Sequence, residues 1–372
     1  MVTPILVIGG GLAGGAVATR LAQAGRAVTV LEREAGPHEK VCGEFLSVEA
    51  CSDLERLGLD PARLGGVAID CVRVHRGRHT VETGLPFVAR GLSRAVLDEA
   101  LLEEAATAGA EVVRGVRVTG LCGQNVSASD GERTAEHILL ATGKHDLRGH
   151  ARTPPATRGG YIGFKMHWRL PRHSLDAIGS AIELVLFGHG YAGLQRVAAR
   201  EANLCLVVKR SHFAELGNNW ERLLASLLRE QRLGQRLEDA EPLFAKPLAI
   251  ANLPYGYLHR ARADEPAHVW RLGDQAAMTA SLSGDGMAVA LRSAHVAADC
   301  LVSGAPTADF QRLLSAQTSK QVRRAMRLQR LSERPFALGA GLLAARLWPG
   351  LLALGARATR LPFYPEVHAS RP

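Results

Sequence analysis

The sequence predicts an α/β chain of three parts: a parallel-sheet domain opened by a βαβ unit, a β-rich α+β domain, and a helical C-terminal tail. Three observations predict it. An apolar run at residues 4–8 leads directly into Gly9-Gly10-Gly11-Leu12-Ala13-Gly14-Gly15, and Glu32 follows eighteen residues after Gly14, at the end of a second apolar run. From residue 161 to about 254 several strand-like runs are interrupted by one helix, the pattern of an α+β domain. The chain then returns to its opening style at residues 269–274, and a long helix begins after Gly286.

Each element has a local reason. Residues 4–8 can only be a buried strand. Gly9 permits the tight turn after it, Gly11 lets the backbone approach a pyrophosphate, and Gly14 lets the following helix, roughly residues 12–24, pack close to the sheet. The helix start offers free N–H groups and a positive dipole end to phosphates. Gly25 ends the helix, and Glu32 at the tip of the second strand can accept hydrogen bonds from a ribose diol. Together these offsets describe a Rossmann-like dinucleotide site. Residues 36–48 read as a loop, and a helix over 47–57 rests on the N-cap chemistry of Ser47. Residues 67–74 alternate as a strand. Ser93 caps an amphipathic helix with Leu97, Leu101 and Leu102 on its apolar side, ended by Gly109. Residues 110–118 and 135–143 read as strands, the latter stopping at Ala141-Thr142-Gly143. The Arg-, Pro- and Gly-rich residues 144–158 mark a crossing between domains. Strands are expected at 162–168, 181–187 and 203–208, a helix near 220–232, and a basic helix over 308–331.

Composition narrows the function classes. At 372 residues the chain exceeds one small core, since a domain averages about 150 residues. Six cysteines without metal-ligand spacing read as reduced thiols of a cytosolic protein, and imply neither a disulfide framework nor a metal site. No cleavable leader pattern precedes the first strand, which reads the same way. The net charge of +9 is spread along the chain, and only 5% of residues are aromatic, so a nucleic-acid interface is not indicated.

Two distant glycine motifs carry a resemblance. Leu272-Gly273-Asp274-Gln275-Ala276-Ala277 and Ser283-Gly284-Asp285-Gly286-Met287-Ala288, taken with the opening loop and Ala141-Thr142-Gly143, make the chain similar to the FAD-dependent family of aromatic-ring hydroxylases and geranylgeranyl reductases. The resemblance implies a GR2-type Rossmann-like FAD-binding domain, discontinuous over 1–150 and 255–330, a β-rich α+β substrate domain over 151–254, and a helical tail over 331–372. It implies that Gly9, Gly11, Leu12, Ala13 and Gly14 face the FAD pyrophosphate, Glu32 the adenosine ribose, and Arg33 the adenine. Arg94 would reach the phosphates or ribityl chain as a fork-shaped donor. Val116 would meet adenine, Asp274 a ribityl hydroxyl, and Gly284, Gly286 and Met287 the pyrimidine edge of the flavin. Taken alone, Arg94 could also be a solvated helix residue and Asp274 a helix cap, the weaker reading of each. The segment Lys40-Val41-Cys42-Gly43-Glu44 falls where the family brings a loop beside the flavin ring, and Cys42-Gly43 is similar to the geranylgeranyl reductase branch.

The catalytic candidates are Cys42 and His167. A thiol beside flavin can donate a proton or gate substrate, with Lys40 lowering its pKa; a small packed loop residue is the alternative. Glu44 would pair with Lys40 or point at substrate. Lys165 and His167 alternate with Phe164, Met166 and Trp168, so the polar pair share one face. That face is expected to turn to solvent, with the aromatics in the core; if it looked into a cavity, His167 would be an acid or base. Residues 188–194 read as a glycine turn near substrate, where His189 or Tyr191 could touch it.

The resemblance implies an FAD-dependent monooxygenase that hydroxylates an electron-rich, hydrophobic aromatic or polyketide-type ring through a flavin C4a-hydroperoxide. Its electron donor would be NAD(P)H, bound transiently because no second GxGxxG is present, or a partner reductase. The alternatives are an FAD-dependent reductase of isoprenoid C=C bonds and a flavoprotein maturation or redox partner. Several departures leave the reaction open: Ala280 and Ser281 stand where the family has prolines, and the tryptophan motif of flavin halogenases is not evident. The tail over 335–358 is interrupted by Arg346 and Pro349, short of the roughly 20 apolar residues a span needs. It reads as a packed α-hairpin, a lid over a greasy substrate, or a peripheral membrane contact.

Overall fold

The computed structural model describes residues 2–152, 160–260 and 265–364. Part of the crossing read at 144–158, and the tail beyond residue 364, lie outside the described residues. At the centre of the first sheet, strand Val2–Ile8 pairs in parallel with Val28–Glu32 on one side and Gly131–Leu140 on the other. Glu111–Arg114 extends the sheet beyond Val28–Glu32, and Val269–Arg271 adds a further parallel strand beside Gly131–Leu140. The return of the chain at residue 269 is therefore an insertion into the first sheet. An antiparallel flap, Val118–Cys122 and Asn125–Ala128, completes seven strands.

The helix Leu12–Gln23 lies on this sheet almost wholly buried. Gly14 is obligatory there, because a Cβ would sit 1.8 Å from the Gly9 carbonyl oxygen. Ser93 caps Arg94–Thr107 by accepting from the Ala95 amide. That helix and Gly286–Val302 share one apolar core with the glycine-loop helix, built on Val7, Val17, Leu21, Leu101 and Leu291.

The second sheet has nine strands and draws on both halves of the chain. Its order runs Glu241–Pro242, Tyr161–Arg169, Glu201–Lys209, Gly190–Arg196, Ala181–Phe187, Val67–Arg76, His79–Gly91 and Phe45–Leu46, with Leu248–Ala251 also beside Tyr161–Arg169. The hairpin of Val67–Arg76 and His79–Gly91 lies far from residue 161 in sequence, yet joins this sheet through a parallel pairing with Ala181–Phe187. Phe164, Met166 and Trp168 cover one face together with Leu223 and Leu227 of the Trp220–Leu228 helix.

Three local expectations are corrected. The stretch 110–118 is two strands, because Gly115 turns the chain with φ +73°. Of the turn expected over 188–194 only Gly188 and His189 turn, and Gly190–Arg196 is strand: Gly190 is small because a Cβ would meet the Val207 carbonyl oxygen at 1.9 Å. His189 is exposed and stacks on His212, with ring centroids 3.9 Å apart, while Tyr191 lies in the core contacts of the second sheet. The helix after Ser47 is Val48–Glu55, a turn shorter than expected.

A buried polar clamp joins that helix to Gly286–Val302. His295, 2% exposed, donates from Nε2 to the Asp53 carbonyl at 2.9 Å, and the fully buried Arg292 reaches the Asp53 carboxylate and the Pro362 carbonyl. Burial pushes the His295 imidazole down to about 4, from an ordinary value of 6.5. The unfolded chain therefore takes up a proton here at a pH where the folded chain does not, and acid favours unfolding. The melting-temperature advantage of the wild type over His295→Gln, which keeps a donor for Asp53, should shrink as pH falls from 6.5 to about 4. An advantage constant across that window would refute the assignment.

Candidate functional site

The glycine loop, the Arg94 helix and the return motif converge at the C-terminal ends of the parallel strands. The helix Leu12–Gln23 starts at Gly11 with no side chain capping its first amides, which leaves these donors for an anion. A Cβ on Gly11 would meet Lys40 Nζ at 3.0 Å, Arg94 Nη2 at 3.6 Å and Asp98 Oδ2 at 3.7 Å, so two cations stand directly over the loop. Asp98 fixes both, taking Lys40 Nζ at 2.8 Å and a two-pronged contact from Arg94 at 2.8 Å on each oxygen. Burial alone would raise the Asp98 carboxyl, but Arg94 and Lys40 hold it below its ordinary range. Arg94 is thus not a solvated helix residue.

Glu32, 6% exposed, uses one carboxylate oxygen to accept from the Gly10 amide at 2.6 Å and the other from the Glu34 amide. Beside it opens a narrow cleft lined by Gly10, Glu32, Pro37, His38, Asp98 and Arg114. Val116 donates its amide to the Glu32 carbonyl at the same edge, while Arg33 is exposed and pairs with Glu34. An uncapped helix start, paired cations and an acid-rimmed cleft fit the pyrophosphate and adenosine end of a dinucleotide.

The return motif closes on the loop from the other side. Gly273, at φ +56°, approaches so closely that a Cβ would lie 3.1 Å from the Ala13 Cβ. Asp274 stands in the single turn Gly273–Gln275, and its carbonyl accepts from Arg152. Gln275 donates to the Gly143 carbonyl, and a Cβ on Gly9 would meet the Ala141 oxygen at 2.7 Å, which seats Ala141-Thr142-Gly143 against both motifs. At the far end Phe45 packs against Gly284, while Gly43 and Gly286 each face open space. Met287 is buried at the start of a helix whose N-cap side chain makes no capping bond. Phe45 thus seats the loop that carries Cys42 and Gly43 against the turn leading into the Gly286 helix start, where the glycines leave room for a flavin ring.

Sequence reasoning missed how that loop is held. Lys165 and His167 do not face solvent: they are 0% and 3% exposed and look across at residues 39–44. Glu44 is fully buried and does not pair with Lys40. Its Oε1 accepts from Lys165 Nζ at 2.5 Å and from the Arg94 amide at 2.7 Å, and its Oε2 meets His167 Nε2 at 2.7 Å. Lys165 also reaches Glu39 at 2.5 Å. Burial would lower the Lys165 ammonium, yet Glu44 and Glu39 hold it above its ordinary value. His167 and Asn203 stand opposite each other in adjacent strands, and Asn203 in turn stands opposite Gln195. Asn203 donates to the Cys42 carbonyl at 2.9 Å and Gln195 to the Glu44 carbonyl at 2.8 Å. Four side chains of one sheet face thus grip three residues of the loop. The available signal was a polar residue inside an apolar run: Gln195 and Asn203 interrupt the interiors of strands whose charged residues, Arg196, Glu201 and Lys209, stand at the ends.

Glu44 adopts φ +59°, a backbone state costing a non-glycine residue about 1–3 kcal/mol, and these bonds hold it there. The turn brings the Glu44 amide to 3.4 Å from Cys42 Sγ, and the Arg94 guanidinium also engages that thiol. The cation facing Cys42 is therefore Arg94, with Lys40 committed to Asp98. Glu39, Glu44 and His167 converge closely enough to suggest a metal site, but the Lys165 ammonium sits between the two carboxylates and supplies the positive charge.

Residues 7–39 match the pattern of the NAD(P)-binding Rossmann-like domain. The chain is 26% identical over 342 residues to the menaquinone reductase of Mycolicibacterium smegmatis, covering 82% of this chain and 77% of that protein. The menaquinone reductase of Mycobacterium tuberculosis is 29% identical over 150 residues, 37% of this chain and 34% of the relative. Among solved structures, a flavoprotein/dehydrogenase from Cytophaga hutchinsonii superposes with a TM-score of 0.77 at 18% identity, covering 96% of this chain and 92% of that one. The flavin-dependent brominase Bmp2 superposes with a TM-score of 0.80 at 17% identity, over 96% and 93%. The fold is that of FAD-binding flavoproteins.

Removing the Lys165 amine takes away the cation that lies between the Glu39 and Glu44 carboxylates. Lys165→Met should cost about 3–5 kcal/mol, read as a lower denaturant midpoint. Adding Glu44→Gln to that variant should recover part of the loss by removing one unpaired charge. Equal stability of wild type and Lys165→Met would sink the network.

Proposed function

We propose, from its place in the FAD-dependent oxidoreductase superfamily, that the chain is an FAD-dependent reductase that saturates a carbon–carbon double bond in a hydrophobic isoprenoid substrate. The observation that carries this reading is the Cys42–Glu44 loop, which presents a thiol at an opening and anchors it from below by buried polar bonds. FAD, when bound in its reduced form, supplies an electron pair and one hydrogen; the second hydrogen must arrive as a proton.

Cys42 holds that proton at Sγ. The Glu44 amide and the Arg94 guanidinium stand against the sulfur. Asn203 and Gln195 fix the loop backbone, so the thiol is oriented before substrate arrives. His167 holds the Glu44 carboxylate and acts as a positioning residue. The similarity to menaquinone reductase over most of the chain supports a lipid quinone with an isoprenoid tail as the substrate class. Hydroxylation of an electron-rich ring is the second reading, because the helix start at Gly286 and Met287 suits an anionic flavin in either reaction and does not separate the two.

The discriminating experiment is anaerobic single turnover of the FAD-loaded, photoreduced protein with a polyprenyl quinone. A reductase returns oxidised flavin and product heavier by two hydrogens without oxygen. Product that forms only after oxygen is admitted, carrying an added oxygen atom, would overturn the reading in favour of hydroxylation. Cys42→Ala should slow the anaerobic turnover by roughly 10²–10⁴-fold while leaving the flavin stoichiometry unchanged. Undiminished turnover would remove Cys42 from the chemistry.

A further inference from the structure

The segment after Thr318 was not absorbed by the site. Residues 321–360 contain eight arginines and one acidic residue, Glu333. Arg323, Arg327, Arg330 and Arg334 recur at helical spacing, all exposed, along the end of the Thr307–Ser332 helix and the cap that follows it. Two apolar helices come next, Pro335–Leu347 and Gly350–Thr359, and their axes bend by 118° at Trp348 and Pro349. No single helix among the described residues is long and apolar enough to cross a membrane.

The hairpin has two apolar faces. Leu338, Leu342 and Leu352 pack against Val72, Val74 and Leu186 of the second sheet, and that contact accounts for the inner face. The outer face presents Phe336 at 94% exposure, Leu347 at 80%, Leu343 and Trp348 at 60%, and Leu354 at 57%. So many large apolar side chains in one short hairpin, with an arginine stripe leading into them, mark an interaction site rather than scattered surface residues.

We propose that this hairpin docks the chain on the surface of an anionic lipid bilayer, with Phe336, Leu347 and Trp348 entering the headgroup boundary and the arginine stripe meeting lipid phosphates. The charge selects the partner: the aromatic and leucine face alone suits any apolar surface, whereas the arginine excess suits a negatively charged one. Neither helix alone is long enough to span, and a pair bent by 118° suits the plane of the interface. The surface is also continuous with the site. Arg360, directly after the second helix, pairs with Asp285 at 2.5 Å, at the N-cap of the Gly286–Val302 helix, and its guanidinium lies over the Phe45 and Phe87 rings. A hydrophobic substrate held in the bilayer would thus meet the chain beside the Cys42 loop. The docking rests on exposed side chains and not on the reductase reading, and it is read without turnover.

The test is co-flotation of the FAD-loaded full chain with vesicles of phosphatidylcholine alone and of phosphatidylcholine mixed with phosphatidylglycerol. Binding to the mixed vesicles should exceed binding to the neutral ones by roughly tenfold or more and fall as salt rises. The double variant Leu347→Glu/Trp348→Glu should lose binding while keeping the wild-type melting temperature and flavin spectrum. The triple variant Arg323→Gln/Arg327→Gln/Arg330→Gln should bind both vesicle types equally weakly. Failure to bind mixed vesicles, binding untouched by either variant, or a lipid-free dimer that the Leu347/Trp348 variant dissociates would overturn the proposal.

Discussion

The buried Glu44 carboxylate is the interaction on which the site depends. It lies at the seam between two sheets that each have an independent core, and it is met by a lysine and a histidine from one side and a helix-start amide from the other. A carboxylate removed from water is costly unless paired and hydrogen-bonded, so the chain gains from burying it only when both sheets are correctly placed. The same residue occupies a left-handed backbone conformation, which turns its amide toward Cys42. Position of the second sheet and geometry of the thiol loop are thereby one constraint.

Around that seam the chemistry divides by strand end. The parallel sheet places its glycine loop, its acid and its cations at one edge, where helix starts supply donors without side chains. The antiparallel sheet contributes no part of that edge; it supplies a polar row on a single face, formed by cross-strand neighbours His167, Asn203 and Gln195. Its other face is filled by aromatic and aliphatic residues beneath four helices. Period-two alternation alone converts one apolar sheet into both a core wall and a grip on a loop. The C-terminal hairpin then uses the far strands of the same sheet as its seat.

Much of the dinucleotide end was legible before any coordinates. Gly9 and Gly14 announce themselves because backbone oxygens at 2.7 and 1.8 Å leave no space for a Cβ, and Gly273 because its φ of +56° favours glycine. Cys42 and Gly43 were legible as a loop by resemblance, and Ser93 as a cap by its chemistry. The burial of Lys165 was not legible, because an amphipathic strand with a lysine and a histidine reads as a solvated edge until the partner carboxylates are located. Those partners, Glu39 and Glu44, lie more than 120 residues away in sequence. Gly190 misled for a related reason: a glycine demanded by a passing strand looks the same in sequence as one demanded by a turn.

The sequence by itself determined the parallel sheet, the positions of its glycines and the acid at the tip of its second strand, because each follows from rules acting over a few residues. It also determined that the tail was apolar, basic and interrupted. Only the tertiary structure decided which partner each buried charge would take, that residues 67–91 would serve the second sheet, and which face of the tail would remain bare. Those outcomes depend on distances between segments remote in the chain, and no local propensity encodes a distance of that kind.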